Sequence, residues 1–171
     1  MKSLIQYIKA IFSCSYNRVI FLDFDGVLVP DNGTWGWRKD YYGREFHPRC
    51  VNCLKEIIEA TDAKIVITSS WRGYLSLWQL IRMWNARNMP GEIIGATEQI
   101  SIYRGVEIDE WISKHKFSGR YVILDDMTYR QFESHQHHNI VTIYGGRGLT
   151  NADAELAIKI LLSTSEMLEF Q

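Results

Sequence analysis

The sequence predicts an α/β fold, a Rossmann-like three-layer α/β/α sandwich around a central, mostly parallel sheet. Two observations carry that expectation. Short apolar runs without helical period, Val19–Leu22, Lys64–Ile67, Tyr121–Leu124 and Ile140–Ile143, alternate with segments whose apolar residues recur at helical spacing. Runs of this kind fit strands covered on both faces. Several of them also stop abruptly on acids or hydroxyls, and a parallel sheet carries its ligands at the carboxyl ends of its strands. Right-handed crossovers between such strands bring Asp23, Asp25, Thr68 and Asp126 to one edge.

Taken in order, residues 1–17 place Leu4, Ile5, Ile8, Ile11 and Phe12 at helical spacing, which predicts a short amphipathic helix. Gln6 and Lys9 interrupt what would be the apolar core of a signal peptide. The first strand delivers Asp23 and Asp25, and Gly26 lets the backbone turn sharply after them. Residues 29–46, rich in Gly, Trp, Tyr and charge, read as a flap or small hairpin beside the carboxylates. Pro48 opens a helix with Val51, Leu54, Ile57 and Ile58 on one face. The second strand ends on Thr68-Ser69-Ser70 and passes directly into a helix reaching Asn88, with Leu75, Trp78, Leu80, Ile81 and Trp84 inward. Residues 92–95 form a short strand. A helix from Arg104 to about Lys116 follows. The strand at Tyr121–Leu124 stops on Asp125 and Asp126. Thr150 and Asp153 form a capping box on the last helix, whose apolar face is Leu156, Ile160 and Leu161.

The 171 residues suit one domain, 1–171, long enough to bury a sizeable core. With 46% hydrophobic and 23% charged residues the composition is that of a globular protein and excludes disordered and collagen-like classes. A net charge of −1 gives no global field toward nucleic acid or membrane, and no run approaches the roughly 20 apolar residues of a membrane span. Cys14, Cys50 and Cys53 have no secreted-framework spacing, which points to a reducing, cytoplasmic setting. The lone Cys50-x-x-Cys53 and the group His135, His137 and His138 read as helix and turn residues rather than metal ligands. Trp71, Trp78, Trp84 and Trp111 read as core.

Three carboxylates with short polar loops and no histidine or thiol partner make a hard, oxygen-only site, for which magnesium is the natural occupant. One Asp could then attack phosphorus while another protonates the leaving group. A hydroxyl and a basic residue would hold the remaining phosphoryl oxygens.

The chain resembles the haloacid dehalogenase (HAD) superfamily of aspartate-dependent phosphatases. Asp23-Phe24-Asp25-Gly26-Val27 is similar to its first motif, Ile67-Thr68-Ser69 to its second and Asp125-Asp126 to its fourth. More narrowly, Ser70-Trp71-Arg72, Arg104-Gly105-x-Glu107-Ile108 with Trp111-Ile112, residues 121–126 and Gly148-Leu149-Thr150 resemble HAD domains of multidomain RNA-repair proteins and their stand-alone bacterial and phage relatives. The resemblance implies that Asp23 is the nucleophile that becomes an aspartyl-phosphate. It implies that Asp25 is general acid and then base, and gives the metal its backbone carbonyl. Asp23 and Asp126 would ligate magnesium with Asp125 behind them, or the adjacent Asp125 and Asp126 in the reverse order, and Thr68 or Ser69 would bind the phosphoryl group.

The third motif is usually lysine, and here Arg104 precedes Gly105, with Lys114 and Lys116 as nearby alternatives. Arginine can clamp phosphoryl oxygens in a different geometry. Residues 29–46 are too short for a separate cap, so the chain reads as a capless member with a short flap, open to a large substrate. Trp35, Trp37, Tyr41 and Tyr42, interleaved with Arg38, Lys39 and Arg44, could stack bases and contact phosphates, or pack on the domain. The expected activity is a magnesium-dependent phosphomonoesterase on phosphorylated nucleic-acid ends or another bulky substrate, with no membrane partner. A small-molecule nucleotidase and a non-catalytic phosphate-binding module are the alternatives.

Overall fold

The computed structural model describes residues 16–33 and 38–163. In chain order the elements are β1 (Arg18–Leu22), β2 (Lys39–Asp40), β3 (Gly43–Arg44), α1 (Pro48–Thr61), β4 (Lys64–Ile67), α2 (Leu77–Ala86), β5 (Ile93–Ala96), α3 (Arg104–Lys114), β6 (Arg120–Asp125), β7 (Ile140–Thr142) and α4 (Asn151–Leu162). Five strands form a parallel sheet in the order β5-β4-β1-β6-β7, so the expected Rossmann-like architecture is the observed one. The first strand is central, paired with β4 on one side and β6 on the other, and its last four residues are fully buried.

Alternation along the strands divides the core between two faces. Ile20, Leu22, Ile65, Ile67, Val122 and Leu124 face α1, α2 and α4. Val19, Phe21, Val66 and Ile123 face Ile108 and Trp111 of α3 and Phe132. Cys50 and Cys53 are buried free thiols of α1, and the Cys53 thiol donates to Asn151 Oδ1 at 3.2 Å. Under the first strand's loop, Phe24 packs against Phe46, Trp71 and Trp84 with ring centroids 5.0, 5.4 and 6.1 Å away. Truncating such a ring costs about 3–5 kcal/mol, so the loop is anchored by its own apolar residue.

Several details differ from the sequence expectations. The predicted N-terminal helix lies outside the described residues except at Tyr16 and Asn17, which are not helical. Val29 and Pro30 belong to the buried turn after β1 rather than to the flap, because Val29 N–H bonds back to the Phe24 carbonyl at 2.9 Å. The helix after β4 does not start at once. A 3₁₀ turn over Ser70–Gly73 intervenes, and α2 begins at Leu77 behind a Ser76–Gln79 capping box. That delay rotates Trp78 out of the core to 66% exposure. Helix α4 packs through Ala154, Ala157 and Leu161, which lets it lie close to the sheet and leaves Leu156 exposed. The Thr150–Asp153 capping box is present. Among the described residues no helix is long and apolar enough to cross a membrane.

Candidate active site

Because all five strands of the sheet are parallel, their carboxyl ends share one edge. The ladder continues one residue past each end: Asp23 N–H bonds to the Leu124 carbonyl at 3.0 Å, Thr68 N–H to Leu22 at 2.9 Å and Ile143 N–H to Asp125 at 2.8 Å. Asp23, Thr68 and the end of β6 are thereby fixed side by side.

Among the described residues, Asp23, Asp125 and Asp126 form a group of carboxylates that could hold a metal ion, with one oxygen from each within 4.8 Å of the others. Asp23 is buried; its Oδ1 accepts from the Phe24 amide at 2.8 Å, and the nearby Ser69 hydroxyl favours its charged form. Asp125 is fully buried. Its Oδ1 accepts from the Met127 amide at 2.9 Å, while its Oδ2 has no hydrogen-bond partner. Asp126 is the exposed member. Burial pushes all three carboxyls up, with Arg104 opposing the rise and the neighbouring carboxylates adding to it; Asp125 is pushed up to about 7. Such a cluster is short of positive charge, and an oxygen-liganded cation fits it. Gly26 completes the cradle. It has φ +75°, and a Cβ there would overlap the Asp126 carboxylate.

Asp25 does not join this cluster with its side chain. Its Oδ1 accepts from Arg44 Nη1 of β3 and its Oδ2 from the Trp71 indole, each at 2.9 Å. The two carboxylates of the Asp-x-Asp string therefore face different surroundings, Asp23 toward the sheet edge and Asp25 toward the hairpin.

Beside both buried carboxylates stands Arg104, the first residue of α3. Its Nη2 is 4.0 Å from Asp23 Oδ2 and its Nε 3.7 Å from Asp125 Oδ2. Lys114 lies at the far end of that 11-residue helix, about 15 Å away, and pairs with Glu98 on the surface; Lys116 is exposed beyond it. Of the three cations considered for that position, Arg104 is the one the fold brings to the carboxylates. Gly105 makes this possible, since a Cβ there would stand 2.6 Å from the Glu133 backbone nitrogen and 2.8 Å from Phe132 Cα. The two hydroxyls also separate. Thr68 is fully buried with its Oγ1 unpartnered, whereas Ser69 Oγ lies near Asp23 and caps the 3₁₀ turn by accepting from Trp71 N–H at 3.4 Å.

Residues without a role in the sequence reading complete the site. Arg72 and Glu107 form a buried ion pair behind it, and Arg72 Nη1 donates to the Ser69 carbonyl at 3.0 Å. Burial lowers the Arg72 pKa, with Glu107 opposing and Arg104 reinforcing the fall. Thr68 Oγ1, Arg72 Nε and Arg104 Nη1 are buried polar atoms without partners near this edge, a set of donors suited to an anion. The signal for Glu107 was its spacing: three residues after Arg104, it shares a helix face with it. The histidines do not gather, since His135 pairs with Asp109 at 3.1 Å and His137 faces the Tyr129 and Phe132 carbonyls. Of the flap aromatics, Tyr42 packs against the core and Tyr41 is 93% exposed; Trp35 and Trp37 lie outside the described residues.

The chain matches neither a curated protein nor a solved structure. Residues 19–154 match the family model for the HAD domain in Swiss Army Knife RNA repair proteins. That span runs from β1 into α4 and takes in the carboxylates, Thr68, Arg72 and Arg104. The chain belongs to this family of HAD domains, and with it to the phosphatase-type hydrolases.

Proposed function

We propose that the chain is a magnesium-dependent phosphomonoesterase that works through an aspartyl-phosphate on Asp23, with phosphorylated nucleic-acid ends as substrate. The observation that carries this reading is the company Asp23 keeps, two further carboxylates within metal-sharing distance and the Arg104 guanidinium beside it and Asp125. Asp23, Asp125 and Asp126, with the Asp25 carbonyl, would hold magnesium, which supplies charge neutralisation at the carboxylates and at the phosphoryl oxygens.

Arg104 and the Thr68 hydroxyl hold phosphoryl oxygens as charge spreads over them. An Asp23 oxygen attacks phosphorus, the bond to the leaving oxygen breaks, and Asp25 delivers its proton to that oxygen. Water then attacks the phosphorus, its proton passes to Asp25, and the bond to Asp23 breaks to release inorganic phosphate. Trp71 orients Asp25 through its indole N–H, so the proton carrier is fixed relative to the core. The free buried thiols of Cys50 and Cys53 support a reducing, cytoplasmic setting.

The test is turnover of 3′- and 5′-phosphorylated oligonucleotides beside free mononucleotides, with magnesium or with chelator. Expected are chelator-sensitive release of phosphate, preference for the oligonucleotide, and loss of turnover in Asp23→Asn with the fold intact. Preference for mononucleotides would favour a small-molecule nucleotidase. No turnover of any phosphomonoester by the wild type, with ligand binding unchanged in Asp23→Asn, would favour a binding module.

A further inference from the structure

Asp25 is held by two residues of different kinds. Trp71 belongs to the core, but Arg44 arrives on the β2–β3 hairpin. That hairpin is braced to the body by Arg87, whose Nε and Nη2 bind the two Asp40 oxygens at 2.8 and 2.7 Å. Arg87 Nη2 also donates to the Arg44 carbonyl at 3.0 Å, and its guanidinium lies 4.6 Å over the Phe46 ring. The fold thus spends a second arginine on holding Arg44 in place.

The Arg44–Asp25 pair is at the mouth of the site, with side chains 33% and 38% exposed. It is also distinct from the phosphoryl-binding groups. Arg104 faces Asp23 and Asp125, and neither Arg44 nor Arg87 pairs with those carboxylates. If Asp25 serves the leaving oxygen, a cation 2.9 Å from it lies where the leaving group must lie. A cation there attracts an anion carried by the leaving group itself.

We propose that Arg44 is a substrate-binding residue that takes a second phosphate on the leaving group, so that the site selects phosphomonoesters whose alcohol carries a further phosphate, as a polynucleotide end does. This rests on the phosphomonoesterase reading above and on Asp25 as its proton carrier. In the structure Arg44 occupies Asp25 Oδ1. Transfer of the guanidinium from that oxygen to the substrate's phosphate frees Oδ1 for the leaving oxygen, which couples recognition to readiness of the acid. Arginine suits the task because its planar fork matches phosphate oxygens in pairs.

The experiment compares kcat/KM of the full chain for a nucleoside 3′,5′-bisphosphate and for the 3′- and 5′-monophosphates of the same base. The wild type is expected to prefer the bisphosphate by about tenfold or more, the weight of a charge-assisted contact. Arg44→Gln is expected to bring that ratio to within about threefold of unity, and Arg44→Lys to keep part of it. Calorimetry in the Asp23→Asn background gives a readout free of turnover: adding Arg44→Gln weakens bisphosphate binding more than monophosphate binding. A wild type indifferent to the second phosphate, or a ratio unmoved by Arg44→Gln, overturns the assignment of Arg44 while leaving the phosphatase intact. A wild type that turns over none of these compounds, nor any other phosphomonoester, overturns both.

Discussion

Arg72 and Glu107 join the turn after β4 to the first turn of α3 through an ion pair whose side chains are 7% and 4% exposed. Removing one partner would strand the other charge away from water. Breaking a buried pair in this way costs about 3–5 kcal/mol. Glu107→Ala is therefore expected to lower stability by that order, and Glu107→Gln by less, because an acceptor remains. Denaturant unfolding checks this against Lys55→Ala, which breaks only an exposed pair with Glu59 and should change little. Equal losses in Glu107→Ala and Lys55→Ala would mean that the buried pair carries no weight.

The Arg87 brace makes a separate prediction about the hairpin. Arg87→Ala removes contacts to Asp40, the Arg44 carbonyl and the Phe46 ring at once. A loss of roughly 1–3 kcal/mol is expected for hydrogen bonds involving charged groups. The more specific outcome is local: trypsin should cut at Arg38 and Lys39 much faster in the variant than in the wild type, with the rest of the chain spared. Cleavage at unchanged rate would show that the hairpin is held by other contacts.

What could be read in advance follows from how local each signal is. The strand ends at Asp23, Thr68 and Asp125 were legible because apolar runs that stop on polar residues report a property of their own segment. The parallel sheet followed from alternation. Trp78 and Leu156 depart from their helical periodicity because a 3₁₀ turn and a close alanine-mediated packing shift helical phase, and neither leaves a periodic mark. The Arg44–Asp25 and Arg72–Glu107 pairs span 19 and 35 residues, so their partners are named by the tertiary fold alone.

Clustering of Asp23, Asp125 and Asp126 predicts an unusual pH dependence for the metal-free protein. All three carboxyls are pushed up in the fold, Asp125 to about 7, chiefly by burial. A carboxyl whose folded pKa exceeds its unfolded value binds more protons when folded. Its contribution to stability is complete below the unfolded value near 3.9 and is lost as pH rises through the folded one. In chelator, Tm should accordingly fall between about pH 4 and 7 on account of this cluster, and Asp125→Asn should flatten the fall. Added magnesium should raise Tm most at the upper end of that range, where the carboxylates are ionised. A metal-free Tm that the Asp125→Asn substitution leaves with the same slope would remove Asp125 from the account.

Gly26 offers a way to disturb the metal cradle without removing a ligand. Its φ of +75° disfavours any residue with a Cβ by about 1–2 kcal/mol, and the added carbon would also meet the Asp126 carboxylate. The backbone strain is felt with or without metal. The displaced carboxylate, unlike the backbone strain, also changes how the cluster responds to a cation. Gly26→Ala is therefore expected to lower Tm modestly in chelator and, in addition, to shrink the stabilisation that magnesium confers, with half-saturation moving to higher magnesium concentration. Thermal melts across a magnesium series separate the two effects. An unchanged magnesium response in a destabilised Gly26→Ala protein would place the metal away from Asp126, since strain alone has no reason to depend on the ion.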